Sequence, residues 1–504
     1  MGGNAADAAV AAAFASFVAE VALVNIGGSG VALVVDSRSD HDTSYDFFSD
    51  MPTGVKREEA DFQEVLIDFG PEQQAFHIGR ASVAVPGAVA GLCAMAEEYG
   101  TLPLSTLLKP ATRLATEGVI LSPQQEYAYR ILQPIFRKTP ELAAIYVPDG
   151  RPFQSGERIF FPQLGRTLEQ LGQLGPALFY TGAMADAILA DQQARGGLVT
   201  RRDLADYAVR TSSPISVAYR DHTVMLPPPS SAGGVLIGFA LRLLAPLQVG
   251  ALEHNGFDHV RLLAETMRLT NLARAGWDAS PLAESERIAW FLGEAHVDLY
   301  RRRLAGILHG DSPPTEPLFA PGPSDTTHIS VVDGNGLLVS VTTSAGENAG
   351  FVVGDTGVCL NNMLGEEDLH PRGFHRHPAG TRLATMMTPV VVVRNERPVL
   401  AVGSGGSNRI RSAILQTLSN VLDFGLPLED AVTAARIHFE ATVLQAEGGV
   451  GKSTVERLAA AGYRVNHWPG ANMFFGGAHA VAMQDGRLTP VGDPRRGGAA
   501  VQVG

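Results

Sequence analysis

Five prolines, Pro313, Pro314, Pro317, Pro321 and Pro323, crowd one short segment. Without the N–H and with a fixed φ, such a segment can continue neither a helix nor a central strand. It divides the chain. Directly after it comes Ser324-Asp325-Thr326-Thr327-His328-Ile329-Ser330-Val331-Val332-Asp333, whose β-branched run from Ile329 reads as a buried strand. Asp333-Gly334-Asn335-Gly336 then turns it back into Leu337-Leu338-Val339-Ser340-Val341-Thr342, a hairpin with Thr326 at its mouth. Further strands are predicted over 357–361, 388–394, 398–402, 464–468 and 478–484, with helices over 408–424, 428–435 and 452–462. Before the prolines the reading is mostly helical and carries scaffold rather than chemistry: Ala5–Ala19, a helix from Ala88 stopping at Gly100, then 104–117, 124–136, 164–174, 235–244 and 257–276. Strands sandwiched between helical layers follow from this order.

Thr326 supports two readings on these residues alone. Strands favour threonine, so Thr326 and Thr327 serve as a strand-initiating pair that satisfies loop backbone groups. The other reading is chemical. A threonine hydroxyl is a poor nucleophile until a base stands beside it, and its own α-amino group, freed by cleavage of the preceding peptide bond, is such a base. That amine titrates near ~8, so a useful fraction is neutral at physiological pH.

The 504 residues are 45% hydrophobic and 18% charged, enough for a substantial core, and the net charge of −13 (39 basic, 52 acidic) argues against nucleic acid as a partner. The alanine-rich opening carries Asp7 and Glu20 and is no membrane span. Cys93 and Cys359, the only two cysteines, form no motif, which fits a reducing, cytoplasmic compartment. A buried helix so close to Met1 predicts an upstream strand and helix beyond this sequence.

Other candidate features are weaker. Gly403-Ser404-Gly405-Gly406-Ser407-Asn408 joins a strand to a helix, so its amides can face developing negative charge, or simply connect the two elements. Gly27-Gly28-Ser29-Gly30 opens a strand, whereas a phosphate cradle needs a helix there. Neither cluster forms a serine-hydrolase elbow, because Val402 and Val31 occupy required glycine positions. His370, His375 and His377 read as solvated loop residues rather than a metal site, and Glu366-Glu367-Asp368 as a solvated acidic face.

In combination these segments resemble the gamma-glutamyltranspeptidase family of N-terminal nucleophile hydrolases. The resemblance spans nearly the whole chain and rests on Gly2 to Val10 with Gly27 to Gly30, Val85-Pro86-Gly87, Pro227 to Gly234, Asp325 to Asp333, Asn361-Asn362 and Gly403 to Arg409. It implies an α+β fold, a four-layer αββα sandwich built as two subunits from one precursor: a large subunit 1–325, its start incomplete, and a small subunit 326–504. The cleavage site is then Asp325–Thr326. Thr326 becomes the catalytic nucleophile, Ser344 supports it by a hydroxyl hydrogen bond, and Gly406 and Ser407 form the oxyanion hole. No cofactor or metal is implied.

At the substrate-binding positions this sequence departs from the family. Phe48 stands where an arginine holds the glutamyl α-carboxylate, Glu366 where an aspartate receives the amino group, and Thr385 and Met386 where paired serines touch the carboxylate. The expected protein is a self-processing threonine amidohydrolase or acyltransferase, a zymogen in its uncut form, that acts on a small-molecule amide or acyl-amino acid and not on ordinary γ-glutamyl compounds. Processed heterodimers pairing as a homodimer are a further expectation. The alternatives are a true γ-glutamyl hydrolase or transferase acting on glutathione, and a non-catalytic scaffold that never matures.

Overall fold

The computed structural model describes residues 2–39, 42–55, 58–68, 73–310, 326–370, 372–484 and 487–503. Asp325 lies outside the described residues.

Two sheets form the centre. Their strands, in chain order, are β1 (Ser29–Asp36), β2 (Thr43–Phe47), β3 (Arg210–Ser212), β4 (Ile215–Tyr219), β5 (His222–Leu226), β6 (Thr327–Val332), β7 (Leu337–Ser344), β8 (Val390–Arg394), β9 (Arg397–Gly405), β10 (Gly477–Gln484) and β11 (Arg487–Val491). The first sheet runs β6-β7-β1-β2-β3 and the second β11-β10-β9-β8-β5-β4. Each main-sheet pairing is antiparallel, so inward and outward residues alternate on every strand. Leu33, Val35 and Leu338 of the first sheet meet Val391, Ala401 and Val481 of the second in a dry layer between them.

The outer faces are covered by helices. Ala5–Ala19 (α1) and Ala88–Tyr99 (α2) lie on the first sheet, in a core that includes Ala9, Phe14, Phe17, Val34 and Phe47. Ala232–Leu244 (α3), Phe257–Ala279 (α4) and Arg409–Leu422 (α5) cover the second, through Val235, Leu263, Ile414 and Leu418. These are the four layers of an αββα sandwich. Why α1 begins where it does is local: Asn4 Oδ1 accepts from Asp7 N at 3.0 Å while Asp7 Oδ2 accepts from Asn4 N at 2.9 Å, a reciprocal cap. The same aspartate accepts from the backbone of Thr101 and Leu102, tying α1 to the chain beyond α2.

Most expected elements are present with shifted ends. The predicted helices 104–117 and 124–136 are each broken, into Leu104–Leu107 and Lys109–Glu117 and into Pro123–Ile131 and Gln133–Phe136. Pro110 and Pro134 sit just after the breaks, where a missing N–H is harmless. The predicted strand 357–361 shrinks to Val358–Cys359, paired with Val352–Val353. The hairpins Gln63–Asp68 with Gln73–Ile78, β4 with β5, and Ile437–Glu440 with Val443–Ala446 were not foreseen. Each sheet joins a block of strands from before residue 326 to a block from after it, so the two segments share one body.

At one end of the sandwich the sheets come very close. A Cβ added to Gly403 would fall 2.2 Å from His328 Nδ1, and one on Gly405 would fall 2.1 Å from the Thr326 carbonyl oxygen. Glycine is the residue that allows this approach. Gly403→Ala is expected to destabilise the protein by about 1–3 kcal/mol through overpacking against the buried imidazole, read as a lower urea midpoint.

Candidate active site

The first sheet places four residues in a row. The registers pair Thr327 with Thr343, Ser344 with Ser29, and Gly30 with Phe47. Continued by one residue, the same registers align Thr326 with Ser344 and Ser29 with Phe48 across four neighbouring strands; the Ser29 hydroxyl itself meets Ser49 Oγ at 2.6 Å and accepts from Gly87 N at 3.1 Å. With strands ~4.8 Å apart, Thr326 and Phe48 are separated by about 14 Å along this row. Thr326 is 3% exposed.

The second sheet brings the glycine turn to the same end. Gly405 ends β9 beneath the Thr326 carbonyl; Gly406 (φ +118°) and Ser407 (φ +51°) follow, and α5 begins at Arg409. The carbonyls of Gly406 and Ser407 accept from Arg409 N at 2.9 Å and Ile410 N at 3.0 Å, so the turn is drawn into the helix start. N–H groups at a helix start project from its positive end, the polarity that stabilises an oxyanion.

Loops supply the remaining walls. Ser344 Oγ accepts from Gly346 N at 3.0 Å. A Cβ on Gly346 would meet Glu366 Oε1 and Asn362 Oδ1, each at 2.1 Å, so the Glu366 carboxylate lies against Gly346, whose N–H bonds Ser344. Asn361 joins three segments: its Nδ2 donates to Gly27 O (2.8 Å) and Ala84 O (3.0 Å), and its Oδ1 accepts from Ala84 N (3.1 Å) and Met363 N (3.2 Å). Thr385 is held in the approach to β8, donating from N to Ser230 O at 2.9 Å, while its Oγ1 accepts from Met387 N at 3.1 Å. Ser230 N in turn reaches Asp46 Oδ2 at 3.4 Å, and Thr385, Met386 and Phe48 are all buried.

Phe48 presents an apolar ring with no cation in its place. The nearby guanidinium of Arg382 is already committed: Nη1 donates to Phe48 O (2.6 Å) and Asp46 Oδ1 (3.1 Å), Nη2 donates to Ala208 O (2.7 Å), and Nε pairs with Asp50 at 2.8 Å. Tyr207 Oη also donates to Phe48 O, at 2.7 Å.

Sequence reasoning overlooked several groups. The run Glu366-Glu367-Asp368 is no solvated face, since Glu366 and Asp368 are buried. Nor are the loop histidines simply solvated: His370, His375 and His377 bond the carbonyls of Met363, Ala81 and Leu369 at 2.9, 2.8 and 3.1 Å. His328, two residues from Thr326, engages Thr342 Oγ1 through Nδ1 and Ser330 Oγ through Nε2, each at 2.8 Å. The Glu20 carboxyl reaches the Thr327 hydroxyl; burial raises its pKa, against the pull of Thr327 and Arg496. Proximity of the acidic run to Asn361-Asn362 was the one signal in the sequence that could have marked Asp368.

Four stacked layers with a threonine at the start of the edge strand β6, facing a glycine turn at a helix start, define an N-terminal nucleophile hydrolase. The gamma-glutamyltranspeptidase family model matches residues 1–503, and the chain belongs to that family. It is 32% identical over 510 residues to the acylase ACY 1 proenzyme of Pseudomonas sp. (strain V22), covering 100% of this chain and 90% of that protein. It is 29% identical over 522 residues to the glutathione hydrolase proenzyme of Escherichia coli (strain K12), covering 98% and 87%. In fold it is similar to the crystal structure of cephalosporin acylase from Bacillus halodurans, with a TM-score of 0.82 at 24% identity over 100% of this chain and 92% of that one. The chain is therefore an enzyme of the self-processing class that hydrolyses or transfers acyl groups from amides.

The site's histidines set a pH response. Burial, and secondarily His479, hold the His328 pKa well below the usual imidazole range, and burial pushes His479 down to about 4. A group that stays neutral in the fold but protonates when unfolded contributes stability that is full above the unfolded value of ~6.5 and lost as pH falls. Glu20 and Asp368, both raised by burial, act in the opposite sense. The urea midpoint is expected to fall from pH 6.5 to 4, and His479→Gln to flatten that slope. An unchanged slope would remove His479 from the account.

Proposed function

We propose that the precursor cuts itself between Asp325 and Thr326 and that mature Thr326 then hydrolyses or transfers the acyl group of a small-molecule amide. In the first step the Thr326 hydroxyl adds to the Asp325 carbonyl carbon, the C–N bond breaks, and the acyl group moves to oxygen as an ester. Water cleaves the ester and leaves the segment before residue 326 with a new carboxylate. The α-amino group so freed is the base for the second reaction. It takes the hydroxyl proton as Thr326 attacks a substrate carbonyl and returns it to the leaving amine. The Gly406 and Ser407 amides receive the oxyanion, and Ser344 orients the nucleophile. Water or an acceptor amine resolves the acyl-enzyme.

The observation that carries this reading is Thr326 in register with Ser344 and pressed against Gly405 at the end of β9, where the turn leads into α5. Thr326→Ala is expected to remain one chain by mass spectrometry while the wild type yields two. Wild type that stays uncut yet hydrolyses amides would overturn it.

For the acyl group, the buried Phe48 and Met386, and an Arg382 already engaged by Asp46, Asp50 and backbone carbonyls, support a chain without the α-carboxylate of a γ-glutamyl group. Glu366 offers a carboxylate against Gly346, near Ser344, suited to an amine or amide N–H. The acylase name of the Pseudomonas relative agrees with this reading, and the glutathione hydrolase name of the Escherichia coli relative keeps a γ-glutamyl substrate as the second reading. A panel of anilides separates them: uncharged acyl anilides should outpace the γ-glutamyl anilide, and the reverse order would favour the second reading. Phe48→Arg is expected to raise γ-glutamyl anilide turnover by about tenfold or more, the worth of one charge-assisted hydrogen bond.

A further inference from the structure

We propose that Asp368 is a positioning residue for the oxyanion turn, acting through the Ser407 hydroxyl. The inference rests on the assignment of Gly406 and Ser407 as the oxyanion hole. Ser407 holds φ +51°, in the left-handed region that glycine adopts freely and a residue with a Cβ does not. Something outside the turn must keep it there for its N–H to face the nucleophile. Ser407 Oγ donates to Asp368 Oδ2, with Ser407 4% and Asp368 5% exposed. A buried carboxylate–hydroxyl bond of this kind is stronger than a neutral one and sets a single side-chain rotamer.

Asp368 can act as an anchor because its own segment is fixed. It lies in the short turn Glu367–Leu369; His370 N donates to Glu367 O at 3.0 Å, Leu369 N to Glu366 O at 3.2 Å, and His377 Nε2 bonds Leu369 O at 3.1 Å. Arg274 and Arg409 attract the carboxylate, against burial and Glu440. Two residues earlier the same segment carries Glu366 to Gly346, beside Ser344. One stretch of chain thus sets both the substrate wall and the turn that stabilises the oxyanion, so a shift of either is felt by the other.

A double-mutant cycle tests the proposal. Asp368→Ala is expected to lower kcat by about 10- to 100-fold with KM changed less than about twofold, the signature of a misaimed transition-state donor. Asp368→Asn keeps an acceptor for the hydroxyl and should recover most of that loss. In the Ser407→Gly background, where the turn needs no anchor, adding Asp368→Ala should cost less than about threefold. Should Asp368→Ala precursor fail to mature, the cycle is read from self-cleavage rates, which use the same turn. Equal Asp368→Ala penalties in both backgrounds, or a raised KM with unchanged kcat, would overturn the proposal. Failure of the underlying reading is separately visible, because Gly406→Ala, which strains the turn directly at φ +118°, would then leave kcat unchanged.

Discussion

The whole site depends on one contact between backbones: the carbonyl of Thr326 resting on Gly405, with no Cβ between them. Stacked sheets ordinarily stand ~10 Å apart because side chains fill the gap. Here the gap narrows from the aliphatic layer around Leu33 and Val391 to direct approach at Gly403 and Gly405. The narrowing brings the start of β6 to the end of β9, and so a hydroxyl to a helix start. The proposed site is divided between the sheets: Thr326 and Ser344 belong to one, and Gly406 and Ser407 follow β9 of the other.

Burial at that junction explains its polar anatomy. His328 sits where an apolar residue would pack, yet both its nitrogens are engaged by hydroxyls on its own sheet, so its desolvation is compensated while it remains neutral. Asn361 does the same for backbone, closing the loops around Gly27 and Ala84 that no strand ladder satisfies. Such groups resist small displacements because each has several partners at once. That rigidity suits the proposed mechanism, in which the base is the nucleophile's own amino group.

Local pattern made the β6–β7 hairpin legible, as well as α1, α2, α4 and the turn after β9, because in these the hydrophobic period and the punctuation by Gly, Pro and Asp agree. Strands β4 and β5 escaped notice: β5 opens on the half-buried polar pair His222 and Thr223 and is held by β8, while β4 is a short edge strand whose one strand neighbour is β5. Thr326 itself was ambiguous by composition and became meaningful only through the order of motifs along the chain. Asp368 shows the opposite failure. An acidic run suggests a solvated face, and only the tertiary position of Ser407 turns one member into a buried partner.

Phe48 shows how such a site can change substrate without losing its frame. Asp46, Asp50 and Arg382 form a compact cluster, with Tyr207 bridging to the Phe48 carbonyl. The cluster fixes the backbone of residue 48 through its carbonyl oxygen and makes no use of its side chain. A cation at this position would therefore add a ligand for a carboxylate, and an aromatic ring removes it, while the strand end stays where it is. In the proposed mechanism reactivity rests on Thr326, Ser344 and the glycine turn, and acyl preference on the side chain at position 48. On that reading the two are separable, because the first uses backbone contacts at one end of the residue row and the second a side chain at the other.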